Sequence, residues 1–279
     1  ADRAIDYIAN QDNKLRDSGK PFALVVSMNP PHTGYELVPD KYKEIYRHMD
    51  VETLCDSPVI PPRGTESGDY FRKSVPDYYA CMTGVDEQVG RIIRQLKEQG
   101  LFDNTIVVFT SDHGDCMGMH NHIGKDIYYE EAMRIPLMIS WPEKIAPRRD
   151  STLAIAFADL YPSLLSLMGF KDEIPAEVQT FDLSASILSP ENTREVVQPY
   201  YYVVPENLTT GYRGLRTKKY TFVVHATNAQ TDEWLLFDRE QDPFQLNNIA
   251  PDQPELIKQF SSRLKDWLKK TNDPFVNCL

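Results

Sequence analysis

The sequence is poor in cysteine and has no long apolar run. It contains four cysteines, and no two of them are spaced as a Cys-x-x-Cys pair. A zinc knuckle and a disulfide-dense scaffold are therefore excluded, although a single disulfide bridge stays open. The apolar runs have the length of a strand, well short of the roughly 20 residues that a membrane-spanning helix needs. We therefore predict that a membrane is not a partner.

Positive charge is also scarce. The chain has 30 Lys and Arg residues against 41 Asp and Glu residues, which gives a formal net charge of −11. A protein with this balance repels a phosphate backbone, so we predict that nucleic acid is not a partner. An acidic protein that binds an anionic substrate must concentrate positive charge locally, with a metal ion or a few basic side chains.

Apolar segments of strand length alternate with amphipathic helical segments in the first two thirds of the chain. Residues 36–75 show no periodicity, and we interpret them as a long surface loop. The alternation predicts an α/β fold with a mixed, mostly parallel sheet flanked by helices. The predicted buried strands are Phe22–Met28, Thr105–Thr110 and Pro136–Ser140, and the predicted helices are 1–20, Asp77–Gln99, 128–133 and Ala158–Met168.

The pattern changes near residue 190. Four strand-like segments follow one another closely between Tyr200 and Phe237, and a final amphipathic helix is predicted at Pro254–Lys270. Short turns between neighbouring strands favour an antiparallel sheet. We therefore predict a main α/β domain over residues 1–190 and a small antiparallel C-terminal subdomain, covered by the last helix, over residues 191–279.

Polar side chains follow two of the predicted strands. His32 lies in the loop after the first strand, Asp112 and His113 come directly after the second, and Lys125 follows in the next loop. In open α/β sheets, ligands bind beyond the carboxyl ends of the strands. A carboxylate and an imidazole before the flexible Gly114 can turn toward one cation. A nearby lysine supplies a positive charge and three hydrogen-bond donors to an anionic substrate.

Each of these residues, taken alone, also has an ordinary structural explanation. Asp112 can cap the following turn while His113 hydrogen-bonds to it, and Lys125 and His32 can simply face solvent. His120 belongs to a His-x-His pair, which is a weak indication of metal binding. Only the combination favours a functional site.

In combination, these motifs resemble the type I sulfatases of the alkaline phosphatase superfamily. The resemblance covers essentially the whole chain, and its ordered succession is more specific than any single motif. The segments that carry it are Asn29–His32, Asp86–Gly90, Ser111–His120, Gly124–Lys125, Tyr129–Glu131, Arg134–Leu137, Asp159–Leu165, Arg213–Tyr220 and Leu236–Pro243.

The resemblance implies a role for each candidate residue. Asp112 and His113 would be two ligands of a divalent cation, usually Ca²⁺, with Mn²⁺ and Mg²⁺ as alternatives. Lys125 and His32 would be catalytic residues that contact the sulfate, and His120 would point toward the substrate. The implied substrate is a sulfated small molecule or glycan, and the implied location is periplasmic, secreted or lysosomal.

The nucleophile of such enzymes is a formylglycine, made from Cys or Ser in a Cys/Ser-x-Pro-Ser-Arg motif. None of the four cysteines lies in this motif, and Ser74-Val-Pro76 continues with Asp77 and Tyr78 instead of Ser and Arg. We expect the motif in a missing N-terminal segment of the parent protein, which would then be a partner of this chain. The chain alone is expected to be inactive.

Two other interpretations stay open. The first is a phosphonate monoester hydrolase or phosphodiesterase of the same superfamily, which shares the Asp-His pair. The second is a non-catalytic binding module with the same fold. The joint presence of Asp112, His113, Lys125 and His32 argues against the second, because a module without chemistry would not need all four.

Overall fold

The computed structural model describes residues 1–149, 155–189 and 198–279. The chain divides into two compact units. The predicted domain boundary near residue 190 falls at residues 190–197, outside the described residues, and stays a prediction. The first unit comprises Ala1–Phe109, Cys116–Gly124 and Leu137–Ala146, and the second comprises Thr110–Asp115, Lys125–Pro136 and Pro147–Leu279.

The first unit is organised around one long helix. Its elements are α1 (Asp2–Ala9), α2 (Asp40–Tyr46), α3 (Val51–Leu54), α4 (Glu66–Glu98) and the paired strands β1 (Val107–Thr110) and β2 (Leu137–Ser140). Helix α4 packs against α1 and α2. The core of this unit contains Tyr35, Phe71, Val75, Cys81 and Met117.

Helix α4 begins eleven residues earlier than the sequence predicts. Thr65 caps its first turn by accepting a hydrogen bond from the Gly68 N–H at 3.1 Å, and Pro76 lies inside the helix. Proline lacks the amide hydrogen that an interior helical residue donates, so it predicts a boundary. The buried side chains of Phe71 and Val75 continue the apolar face through it. The prediction of one long loop over residues 36–75 is therefore wrong.

The segment Phe22–Met28 is not a strand. None of its residues belongs to a strand, and Val25 is 91% exposed. A strand requires a neighbour that supplies ladder hydrogen bonds, and no other part of the described chain pairs with this segment. The prediction of a buried strand here is wrong. An apolar run indicates that a segment is hydrophobic, but it does not show whether a neighbouring strand is present to pair with it.

The second unit contains the predicted antiparallel sheet. Strands β3 (Gln198–Val204), β4 (Asn207–Arg216), β5 (Tyr220–Thr227) and β6 (Gln230–Asp238) pair in chain order, and all three pairings are antiparallel. The mixed α/β class and the small antiparallel sheet are confirmed. The mostly parallel main sheet is not confirmed: among the described residues, β1 and β2 form a two-stranded sheet, and the other four strands pair antiparallel. The helices of this unit are α5 (Glu130–Met133), α6 (Leu160–Leu167), α7 (Ser184–Leu188) and α8 (Pro254–Lys270).

Both faces of this sheet are covered. On one face, Phe260, Leu264 and Leu268 of α8 pack against Phe222 and Leu236, all buried. On the other face, a second apolar cluster packs around Tyr128, which precedes α5. Because side chains alternate across a strand, β5 buries residues on both sides and is fixed between two layers. The sheet is thus a rigid support for the segment that contains Tyr128.

Two further sequence predictions concern membranes and disulfides. Within the described ranges, no helix combines the length and apolar character needed to cross a membrane. The four cysteines are free thiols, and Cys81, Cys116 and Cys278 are buried.

Candidate functional site

Asp112 and His113 lie in the loop after β1, and their side chains meet. Asp112 Oδ2 is 3.3 Å from His113 Nε2. The backbone N–H of His113 also donates to Asp112 Oδ1 at 3.0 Å, and the Ser111 hydroxyl donates to the His113 carbonyl at 2.7 Å. These local hydrogen bonds hold the two predicted metal ligands side by side.

The imidazole of His113 has a defined orientation. Its Nδ1 is 2.7 Å from the carbonyl oxygen of Gly114. A carbonyl oxygen can only accept a hydrogen bond, so Nδ1 carries the hydrogen. A backbone carbonyl on one ring nitrogen is the usual way in which proteins orient a histidine that binds a metal through the other nitrogen. Nε2 is therefore the nitrogen that is available to bind a metal ion, and it is the atom that faces Asp112.

Asp112 is ionised at neutral pH. Burial acts to raise the pKa of its carboxyl group. The hydrogen bonds from the His113 backbone N–H and the Ser111 hydroxyl outweigh burial and hold this pKa below its usual value. Its side chain is 76% exposed, so the carboxylate is accessible to an ion from solution.

These two residues fit part of a divalent-cation site. A carboxylate oxygen and an imidazole nitrogen are both ordinary ligands, and they stand close enough to bind one ion together. Within residues 1–149, 155–189 and 198–279, however, no three His, Cys, Asp or Glu side chains form a ready-made metal site. Ca²⁺ takes six to eight oxygen-rich ligands, so the pair supplies only a fraction of its coordination.

Gly114 brings this loop into close contact with α5. Its N–H donates to the carbonyl of Ala132 at 2.8 Å. A Cβ at this position would lie 2.0 Å from the carbonyl oxygen of Glu131, a distance that no side chain can tolerate. Only glycine fits here, and the loop with Asp112 and His113 is consequently held against the backbone of α5.

Lys125 belongs to the same unit as Asp112 and His113. It is partly buried, and its carbonyl accepts a hydrogen bond from the Ile127 N–H at 2.8 Å. Its ammonium group makes no hydrogen bond or ion pair with the described residues. The segment that follows is anchored by Tyr128, whose ring lies 5.4 Å from Tyr212.

His32 and His120 belong to the first unit. His32 is exposed, and its Nδ1 lies 3.0 Å from the Thr33 hydroxyl. His120 is half-buried and has a left-handed backbone with φ +56°, held in part by the bond from its N–H to the Val59 carbonyl at 2.9 Å. Their convergence with Asp112, His113 and Lys125 on one pocket stays a prediction.

A charged cluster around Glu130 was assigned no role from the sequence. Arg216 Nε and Nη2 donate to the two oxygens of Glu130 at 2.9 and 2.8 Å, and Arg239 Nη2 lies 3.4 Å from Glu130 Oε2. The side chains of all three are largely buried. All three occur in segments that carry the family resemblance. Charged residues within otherwise apolar segments were the signal that could have identified them.

Two family models and a curated relative that match this chain are all described as sulfatases or sulphohydrolases. The model described as "Sulfatase" matches residues 1–170, which is more than half of the chain. The model described as "N-sulphoglucosamine sulphohydrolase, C-terminal" matches residues 118–273. An endo-4-O-sulfatase of Bacteroides thetaiotaomicron is 33% identical over 98% of this chain and 56% of its own length.

Solved structures show the same relationship. The yidJ protein of Bacteroides fragilis superposes with a TM-score of 0.93 at 61% identity, covering 99% of this chain and 59% of that one. BT4656, solved in complex with its substrate D-glucosamine-2-N,6-O-disulfate, has a TM-score of 0.63 at 29% identity, covering 74% of this chain and 42% of that one.

The chain thus spans about half the length of the curated relatives that it matches. The Sulfatase model matches residues 1–170, and the endo-4-O-sulfatase of Bacteroides thetaiotaomicron aligns with 98% of this chain. The chain belongs to the sulfatase family, among the type I sulfatases of the alkaline phosphatase superfamily.

Proposed function

We propose that this chain is the portion of a sulfate-ester hydrolase that provides two cation ligands and the lysine for the sulfate group. The observation that carries the proposal is the facing pair of Asp112 Oδ2 and His113 Nε2, 3.3 Å apart, in a chain of this family. The named substrate of BT4656 is a sulfated amino sugar, which supports a sulfated sugar or glycan as the substrate class.

The proposed chemistry follows from where charge develops. Cleavage of a sulfate ester builds negative charge on the leaving oxygen, and preorganised positive groups stabilise that charge. A divalent cation held in part by Asp112 and His113, with Ca²⁺ as the proposed ion, would neutralise charge on the sulfate. Lys125 would donate hydrogen bonds to a sulfate oxygen or the leaving oxygen. Lys125 or His32 would protonate the leaving group, and His120 would contact the substrate.

We do not assign the nucleophile to this chain. The formylglycine motif is absent from these 279 residues, and the loss of a covalent nucleophile costs many orders of magnitude in rate. We therefore propose that the 279-residue chain alone is inactive and that activity belongs to the protein expressed from the complete reading frame.

The test compares those two proteins with the same substrates. Sulfate release would be measured from 4-nitrophenyl sulfate and from O- and N-sulfated glucosamine, with and without chelator. We expect turnover by the complete protein only, with loss on chelation and recovery with Ca²⁺. A preference for 4-nitrophenyl phosphate or a phosphonate monoester over every sulfate would favour the alternative hydrolase. Turnover by the 279-residue chain would show that the nucleophile is misassigned.

A further inference from the structure

Helix α5 stands between the loop of the proposed metal ligands and the antiparallel sheet. On one side, the Gly114 N–H donates to the Ala132 carbonyl at 2.8 Å. On the other side, Glu130 binds Arg216 of β4, with Nη2 to Oε2 at 2.8 Å. A helix of four residues has little stability of its own. Its position must therefore come from these attachments.

The attachment through Glu130 is unusually complete. Arg216 donates hydrogen bonds from two nitrogens to the two carboxylate oxygens. This is the geometry in which guanidinium and carboxylate bind most strongly. Arg239 adds a contact from just after β6 and itself donates from Nη1 to the carbonyls of Thr217 and Lys218, at 2.9 and 2.7 Å. The backbone N–H of Glu130 donates to Gln245 Oε1 at 2.8 Å. Three residues from separate points of the chain thus hold Glu130.

The charges in this cluster make Glu130 indispensable to it. Two guanidinium groups share one carboxylate, and the Glu130 side chain is only 15% exposed. Without the negative charge, Arg216 and Arg239 would repel each other in a largely dry environment, where unpaired charge is costly. Loss of the carboxylate therefore has to loosen the contact between α5 and the sheet.

We propose that Glu130 is a positioning residue for the metal pair. Its ion pairs fix α5 on the sheet, and α5 in turn fixes the loop that carries Asp112 and His113 through the Gly114–Ala132 hydrogen bond. The same anchor holds the end of the segment that begins at Lys125. The inference rests on the proposed function for its catalytic meaning. The mechanical link from Glu130 to Gly114 is a separate claim, which can be measured without activity.

The test uses Glu130→Gln in the protein expressed from the complete reading frame, with Glu52→Gln as a matched control. Glu52 is also a carboxylate held by two arginines, Arg63 and Arg72, but it lies in the first unit. The control therefore removes a carboxylate that is also held by two arginines, but in the other unit of the chain.

Two measurements are made on each variant. The first is hydrogen exchange resolved to single amides. Glu130→Gln is expected to accelerate exchange at Gly114 while the amide of Leu264, in the middle of α8, keeps its protection. The second is Ca²⁺ affinity by calorimetry, expected to fall by about 10- to 100-fold in Glu130→Gln, as when residues that orient metal ligands are lost. Glu52→Gln is expected to leave both unchanged.

The outcomes separate this inference from the proposed function. Slower or unchanged exchange at Gly114 in Glu130→Gln would overturn the positioning role, whatever the enzyme does. If the unaltered protein binds no Ca²⁺, the metal assignment fails, and exchange at Gly114 alone decides the role of Glu130. Should Glu130→Gln not fold, Glu130→Asp keeps the charge and shortens the side chain by one methylene. It is expected to accelerate exchange at Gly114 by a smaller factor.

Discussion

The guanidinium of Arg213 is buried against the carboxylate of Asp273, with 2.7 Å between Nε and Oδ2. The Arg213 side chain is 1% exposed, and its guanidinium stacks over the Phe275 ring at 4.5 Å. Asp273 Oδ1 accepts a hydrogen bond from the Phe275 N–H at 2.9 Å. Strand β4 is thereby tied to the last residues of the chain.

This pair predicts a large loss of stability in Arg213→Met. Methionine fills the space but leaves the Asp273 carboxylate without its partner, and removal of one member of a buried pair costs about 3–5 kcal/mol. Urea unfolding would measure the difference. Arg263→Met, at an exposed position of α8, is the matched control and should change the unfolding free energy by less than about 0.5 kcal/mol. Equal urea midpoints for the two variants would contradict the prediction.

Lys125→Ala is expected to reduce kcat of the complete enzyme by about 10²- to 10³-fold, with folding retained. The ammonium group stabilises charge that develops during the reaction, and removal of one such group has this magnitude. The assay is sulfate release, with circular dichroism to check folding. Lys258→Ala, an exposed lysine of α8 in the same unit, should retain full activity. If KM rises in Lys125→Ala while kcat stays unchanged, this lysine contributes to substrate binding and not to the chemical step.

Asp112→Asn is expected to weaken Ca²⁺ binding as well as to lower the rate of sulfate release. The amide keeps the shape of the side chain but removes the charge that attracts the ion. We expect an affinity loss of at least about tenfold, with recovery of turnover at high Ca²⁺. Calorimetry and a Ca²⁺ titration of activity would measure both effects. Asp266→Asn, exposed on α8, is the control. Unchanged Ca²⁺ affinity in Asp112→Asn would remove this residue from the metal site.

Glu130 predicts a pH dependence of stability. Burial acts to raise the pKa of its carboxyl group, but the hydrogen bond and charge of Arg216, with the charge of Arg239, outweigh it and place this pKa below the ordinary value of 4.5. A group with a lowered folded-state pKa stabilises the fold above its unfolded pKa. That stabilisation disappears as the pH falls through the folded pKa.

The stability difference between the unaltered protein and Glu130→Gln should therefore be constant from about pH 7 to pH 5 and shrink below about pH 4.5. Urea unfolding of both proteins across this range would measure it. A difference that stays constant down to about pH 3 would mean that the pKa of Glu130 is the same in the folded and unfolded chains, so that Arg216 and Arg239 do not lower it.

The C-terminal sheet and α8 were predictable because their signals are local. Alternation along each strand and helical spacing along α8 identify which side chains face inward, and Phe260, Leu264 and Leu268 are buried. The errors in the first unit have the opposite origin. The segment Phe22–Met28 lacks a pairing partner among the described residues, and the apolar face of α4 continues past Pro76. The order of apolar and polar residues within each segment indicates neither of these facts.

The same distinction explains the site. Asp112 and His113 are adjacent in sequence, so their proximity follows from the motif itself, although only its combination with His32 and Lys125 indicated a functional site. Glu130 is 86 residues from Arg216 and 109 residues from Arg239. Their ion pairs depend on how β4 and β6 fold back toward α5. Sequence motifs placed these residues in the family but gave no distance between them.

The unpaired segment Phe22–Met28 has a consequence for handling the isolated chain. Its backbone makes no hydrogen bond with the described residues, and Leu24, Val25 and Val26 are exposed. Open amide and carbonyl groups beside β-branched side chains form a template onto which another chain can add as a strand. Self-association of this kind grows with protein concentration. We therefore expect the 279-residue chain to self-associate through these seven residues as its concentration rises.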